Sequence, residues 1–257
     1  MDDTLQGWPY EPEPGEVIAR EVRARDGRTV IQVRVELGVL QMEIGGRPDG
    51  LKPHGFATYL EYLRYRAAGK GNAKSSRASA WTMSTEHCTA ADRELMQFHH
   101  RRLAWLTLQR YDKALLDAEH TLAMMDFIAE HSNDAEYIAS HERLRPLVLF
   151  HRTQALAALA LERRKPEEAV DIVREGIDRL TTPPRHDADE DEDEDEAESG
   201  ESPNQPLIEQ LRILEQDIRK NFSVQKTLKE QLDEAVADED YERAAKLRDQ
   251  IRARARR

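Results

Sequence analysis

Regular alternation of apolar and polar residues begins at Val17 and defines two strands, Val17–Arg25 and Thr29–Leu37, joined by Asp26-Gly27. A period of two marks a half-buried strand, and Asp-Gly between such runs favours a two-residue hairpin turn with positive φ at both central positions. That turn sets a register in which Ala24 faces Thr29, Val22 faces Ile31, Arg20 faces Val33 and Ile18 faces Val35. One face is then apolar except at Arg20, and the other carries Glu21, Arg23, Gln32, Arg34 and Glu36. After Gly38 the apolar phase changes to Leu40, Met42 and Ile44, which predicts a bulge or a new strand. GGRPDG at 45–50 reads as a turn-rich loop. Phe56, Tyr59, Leu60 and Leu63 then recur at i, i+3, i+4 and i+7, predicting a helix that covers the small sheet.

From 90 to 180 the period is helical, with stripes built on Leu95, Phe98, Leu103, Leu106, Leu115, Leu122 and Met125. RYDKALLDAEHTLAMM (110–125) and KPEEAVDIVREGIDRL (165–180) each open with a polar pair followed by Ala and an apolar residue, Ala114 matching Ala169 and Leu115 matching Val170. They resemble the second helix of tetratricopeptide repeats, whose small residue lets paired helices approach closely. Segments 93–109 and 146–163 would supply the first helices. The 55-residue separation exceeds the usual repeat of about 34. Beyond Leu207 a heptad-like series (Leu207, Leu211, Leu214, Ile218, Asn221, Gln225, Leu228, Leu232, Ala235) predicts one long helix ending near 237–240. A second helix follows from Tyr241 to about Arg254, its inward stripe formed by Ala244, Ala245, Leu247 and Ile251.

Charge changes this picture at two places. The 257 residues carry 38 Lys+Arg and 50 Asp+Glu, yet 11 of the acidic residues lie between Asp187 and Glu201, where no basic residue occurs. The rest of the chain is nearly neutral. Segment 183–206, with four prolines and this acidic run, is predicted to be a disordered tether. The chain's end, 241–257, has seven basic side chains against Glu242 and Asp249. Residues 67–80 (AAGKGNAKSSRASA) read as a loop. Its GKG is not a phosphate loop, because Lys70 is followed by Gly71 where that motif needs Ser or Thr. No apolar run is long enough to span a bilayer, and the N-terminus lacks the basic and apolar regions of a signal peptide. The expectation is a cytoplasmic protein.

Candidate chemistry is sparse. Cys88 is alone, which excludes an intrachain disulfide and any zinc site needing two thiolates. His99-His100 point to different helix faces, and His120, His131, His141 and His151 lie ten or eleven residues apart, so structural histidines are favoured over a metal site. His87-Cys88 combines base and nucleophile by type only. Arg47 and Asp49 are read as solvated residues of a turn. No catalytic group, metal or cofactor is expected, and the protein is predicted not to be an enzyme.

LKEQLDEAVADEDYERAAKLRDQI (228–251) closely resembles the UVR motif of the excision-repair proteins UvrB and UvrC, which also occurs in some Clp-type unfoldase subunits and in the activator of the bacterial protein arginine kinase. Leu228, Leu232 and Ala235 carry the first helix of the match, Tyr241-Glu242 stand where the family often has Phe-Glu, and Ala244 to Asp249 with Ile251 complete it. The resemblance implies a helical hairpin that contacts a protein partner, either a UVR-containing protein or another copy of the chain. It assigns partner binding to Leu228, Leu232, Tyr241, Ala244, Ala245, Leu247, Arg248 and Ile251. There is no Walker A sequence and no nuclease signature, and the arginine-kinase activator's paired-Cys zinc sites are missing.

The fold class is therefore α+β, mainly α. Five zones are expected: 1–66, a β-hairpin with a helix; 67–89, a linker; 90–182, tetratricopeptide-like helices; 183–206, the acidic tether; and 207–257, the UVR-type hairpin. The expected function is a non-enzymatic adaptor that docks protein partners. Alternatives are an accessory role in nucleotide excision repair or regulation of a Clp-type unfoldase or protein kinase. Neither membrane contact nor direct nucleic-acid contact is expected, the latter because the charge is near neutral outside the acidic tract.

Overall fold

The computed structural model describes residues 7–8, 10, 16–69, 81–182 and 203–255. Three strands, β1 (Ile18–Arg23), β2 (Thr29–Val35) and β3 (Gly38–Glu43), form an antiparallel sheet in the order β1-β2-β3. Among the described residues the helices are α1 (Tyr59–Ala67), α2 (Thr85–Thr107), α3 (Tyr111–His131), α4 (Ala135–Glu142), α5 (Arg145–Glu162), α6 (Pro166–Thr181), α7 (Gln205–Phe222), α8 (Leu228–Ala237) and α9 (Tyr241–Ala255). The fold is α+β and mainly helical. Contacts divide the chain into two compact units, Met1–Ala155 and Leu156–Arg257, with the boundary inside α5. The first unit places the sheet and α1–α4 together, on both sides of the expected 67–89 linker, and the second brings together α6 and α7 from either side of the expected tether. Residues 183–202 of that tether lie outside the described residues.

The β1–β2 register is one residue away from the expected one. Val22 pairs with Val30 and Glu21 with Ile31. The loop has three residues instead of two: Ala24 N–H donates to Arg28 O, Gly27 N–H donates to Ala24 O, and only Gly27 takes positive φ, at +87°. The Asp26 carboxylate accepts from the Arg28 amide, which holds Asp26 on the turn without needing a left-handed backbone. A slip of one residue moves side chains to the opposite face. The buried face is consequently Ala19, Ile31, Val33 and Met42, and its polar exception is Glu21, which bonds Arg110 Nε at 2.8 Å. Arg20 lies on the other face, donating to Gln32. The phase change after Gly38 is a new strand, β3, with Leu40 opposite Val33 and Met42 opposite Ile31.

The sheet packs on Trp105, Ala104, Ala114 and Ala155, residues of α2, α3 and α5. The helix expected over the sheet does something else. In α1, Tyr59, Leu60 and Leu63 pack with Ala91, Leu95, Met124, Phe127 and Ile128, so α1 covers the other end of the α2/α3 pair. A polar side chain dictates this. Glu94, fully buried on α2, accepts from the amides of Tyr59 and Leu60 at 2.6 and 3.1 Å. Those are orphan donors at a helix N-terminus, where a carboxylate also complements the dipole.

The 45–50 loop is similarly tied to α2. Arg101 Nη1 donates to Glu43 O and Gly46 O, while Arg101 Nε and Nη2 form a bidentate pair with Asp117 at 2.8 and 2.7 Å. Arg47, expected to be solvated, is 6% exposed and donates to Gln97, whose amide donates in turn to Asp49. The loop is thus an internal joint between sheet and helix.

Removing one partner of a buried, hydrogen-bonded ion pair leaves an uncompensated charge and costs about 3–5 kcal/mol. Asp117→Ala should destabilise the first unit by that order, lowering its urea midpoint, whereas Glu119→Ala on the exposed side of α3 should leave the midpoint nearly unchanged. A second expectation concerns pH. His99 and His151 flank the buried Arg102 guanidinium, with their Nδ1 atoms 3.2 and 3.3 Å from its Nη2 and Nε. Burial, and then the charge of Arg102, pushes His99 down to about 4 and His151 down to about 3 from an ordinary 6.5. The unfolded chain therefore binds protons below pH 6.5 that the folded unit refuses, so stability is full above 6.5 and falls as pH drops toward 4 and 3. Thermal melts between pH 7.5 and 5.5 should show Tm falling with pH, and less steeply in His151→Gln; equal slopes would contradict the assignment.

Candidate functional site

The C-terminal hairpin is built by a turn that recurs at three helix pairs among the described residues. Glu239 adopts a left-handed conformation (φ +58°) between α8 and α9; its amide donates to Val236 O and that of Asp240 to Ala235 O. The same pair of bonds closes the turn at Gln109 between α2 and α3 and at Arg164 between α5 and α6. This 6→1 and 5→2 pattern satisfies helix-end carbonyls. Five residues past each left-handed position stands a buried alanine: Ala114, Ala169 and Ala244. The sequence likeness between 110–125 and 165–180 thus extends to 240–247 as a shared way of reversing a helix.

Within the hairpin, Ala235, Ala244 and Leu247 form a buried cluster, and Leu228 and Leu232 pack against it. Leu228, Leu232, Ala244 and Leu247, predicted as contact residues, thus pack together inside the hairpin. Ala245 and Ile251 are half-buried, Arg248 is exposed, and Tyr241 is 69% exposed. Val236, which sequence reasoning did not single out, is 52% exposed at the end of α8. Tyr241 and Val236 therefore give the turn an apolar tip, set among Asp238, Glu239, Asp240 and Glu242.

The single long helix expected from 207 to 237 is two helices. Ser223 takes φ +53° and ends α7, with the Val224 amide donating to Arg219 O. Thr227 then caps α8: its hydroxyl accepts from Glu230 N–H, and the Glu230 carboxylate accepts from Thr227 N–H. Thr-x-x-Glu is a capping box, a sequence signal that the heptad reading passed over, and polar Asn221 and Gln225 mark where the apolar seam fails. The helix α7 packs against α6; α7 buries Ile208, Leu211 and Ile218, and α6 buries Ala169, Val170, Val173, Gly176 and Leu180. Pro206, at the end of the segment predicted as a disordered tether, lies in the first turn of α7, where its missing N–H is not needed.

Polar contacts join the hairpin to this α6/α7 pair. Thr227 is fully buried and its hydroxyl donates to Asp171 Oδ1 at 2.6 Å. The Glu230 carboxylate receives Arg219 at 2.8 Å and Arg174 at 3.0 Å. Burial raises the Asp171 carboxyl above its ordinary value, opposed by the Thr227 hydrogen bond. Burial also acts to raise Glu230, but the Thr227 amide and Arg219 outweigh it and hold that carboxyl below its ordinary value.

The other candidate groups have structural partners. His120 bonds Glu94, His141 bonds Asp92, and His87 closes the cap of α2 through Ser84 N–H. Burial pushes the Cys88 thiol up, away from the reactive thiolate. Among the described residues no group of three or more His, Cys, Asp or Glu is arranged to hold a metal ion. No helix among them is long and apolar enough to cross a membrane.

Comparison with known proteins bears on this hairpin alone. No curated protein and no solved structure matches the chain. Residues 223–253, from the break after α7 through most of α9, match the UvrB/uvrC motif family. The chain carries a UVR motif, and α8 and α9 are its two helices.

Proposed function

We propose that this protein is a non-enzymatic adaptor that docks a partner protein through the tip and outer surface of the α8/α9 hairpin. The UVR motif supports a protein-contact role at a coarse level. The observation that carries the finer reading is the division of side chains in the hairpin. Its apolar stripe is consumed internally by Ala235, Ala244, Leu247, Leu228 and Leu232, yet Val236 and Tyr241 remain exposed at the two helix ends that flank the turn. An aromatic residue at a largely exposed position offers a large apolar area with few rotatable bonds, the property that makes Tyr a frequent anchor in interfaces. The acidic residues around the tip favour a partner surface that pairs an apolar hollow with a basic rim. Of the eight residues assigned to partner binding from sequence, Tyr241 and Arg248 are exposed, which supports direct contact by these two. Leu228, Leu232, Ala244 and Leu247 serve by keeping the hairpin folded, with Ala245 and Ile251 at the edge.

A second reading is favoured by the name of the motif: an accessory role in nucleotide excision repair through contacts like those of UvrB and UvrC.

Affinity capture with the intact chain as bait separates these readings. Tyr241→Ser with Val236→Ser should lose the specific partner while far-UV circular dichroism stays unchanged. Leu232→Asp should lose both partner and hairpin helicity. Capture of UvrB or UvrC would favour the repair reading, and retention of the same partners by the tip variant would refute docking through the tip.

A further inference from the structure

Among the described residues, the hairpin's apolar cluster is made of hairpin residues, and the bond from Thr227 to Asp171 and the pairs of Glu230 with Arg174 and Arg219 tie its first turn to α6 and α7. A rigid attachment of one helical element to another usually comes from shared apolar packing. Here the described contacts between the two are a buried hydroxyl–carboxylate bond and a carboxylate shared by two arginines. Both Arg174 on α6 and Arg219 on α7 address Glu230 Oε1, and Glu230 Oε2 takes the Thr227 amide. Thr227 therefore has two tasks. Its hydroxyl oxygen accepts the cap bond that starts α8, and its hydroxyl hydrogen goes to Asp171.

We propose that this cluster is a latch: the bond between Thr227 and Asp171, with Glu230 held between Arg174 and Arg219, fixes the direction of the UVR hairpin on the α6/α7 pair, and breaking it releases the hairpin as a folded but mobile arm. The latch concerns how the hairpin is held and stands apart from what the hairpin binds. Its physical basis is asymmetry. The bonds are short and charge-assisted, and Thr227 is excluded from water, so a lost partner is not replaced by solvent at equal strength. Ser223, in the left-handed region, together with Val224, Gln225 and Lys226 gives the chain a short connection on which a freed hairpin can swing. The hairpin itself survives release, because its cluster and its closing turn do not involve α6 or α7. A partner that binds the tip meets a fixed target when the latch is closed and an arm of wider reach when it is open.

Distances between spin labels test this on the full chain. With Cys88→Ser as background, labels at Asp178→Cys on α6 and Gln250→Cys on α9 report the angle of the arm. The latched chain should give one narrow distance distribution. Asp171→Ala breaks the latch and leaves the Thr227–Glu230 cap intact, so it should broaden that distribution at least twofold with unchanged helicity, and adding Arg174→Ala should broaden it further. Thr227→Ser keeps both hydroxyl bonds and should remain narrow. A broad distribution in the unsubstituted chain, or a narrow one in Asp171→Ala/Arg174→Ala, would overturn the latch.

Discussion

A chain that reverses between two helices within three residues must leave the right-handed region at one of them, and the cost of that single left-handed residue shapes this protein. Gln109, Arg164 and Glu239 each accept it, and at each the next two amides close on the carbonyls of the preceding helix. Because the helices leave the turn so close together, the first inward position of the second helix has room for little more than a methyl group. Ala114, Ala169 and Ala244 fill that position. The UVR hairpin is thus one instance of a device that also reverses the chain after α2 and after α5.

Much of this was legible in the sequence, for a physical reason. The small-residue signal at Ala114, Ala169 and Ala244 is local, so the helix pairs and the hairpin could be read from spacing. Features decided by long-range polar contacts were not legible. Nothing near Leu60 shows that Glu94, 34 residues later, will hold the N-terminus of α1 and direct it away from the sheet. The slip in the β1–β2 register has a different origin: Asp26-Gly27 suits both a two-residue turn and a three-residue turn with one left-handed position, and the Asp26 bond to Arg28 selects the latter. The break at Ser223 was legible in principle, since Thr227-x-x-Glu230 is a cap signal, but a heptad that tolerates Asn221 and Gln225 runs straight through it.

The two units divide their polar chemistry in instructive ways. In the first, buried charges such as Arg101, Asp117 and Glu94 join secondary-structure elements that also share apolar cores. In the second, Thr227, Asp171 and Glu230 join α6 and α7 to a hairpin whose described apolar cluster consists of its own residues. Polar contacts of the first kind fix a fold. Those of the second kind fix an orientation, and an orientation can change without unfolding. That distinction would suit the proposed adaptor: the hairpin's own packing would preserve a contact surface, while its attachment would be decided by a few hydrogen bonds.

Native-state hydrogen exchange of the full chain measures this directly, because it reports whether two elements open together. If the hairpin is an independently packed element, amides of Ala244–Ile251 should exchange through a local opening with weak dependence on denaturant. Amides of Val170–Leu180 should then stay protected up to the unfolding of α6 and α7. Equal protection with equal denaturant dependence in the two segments would show that hairpin and helix pair unfold as one body, and would contradict the separation of packing from orientation on which this account rests.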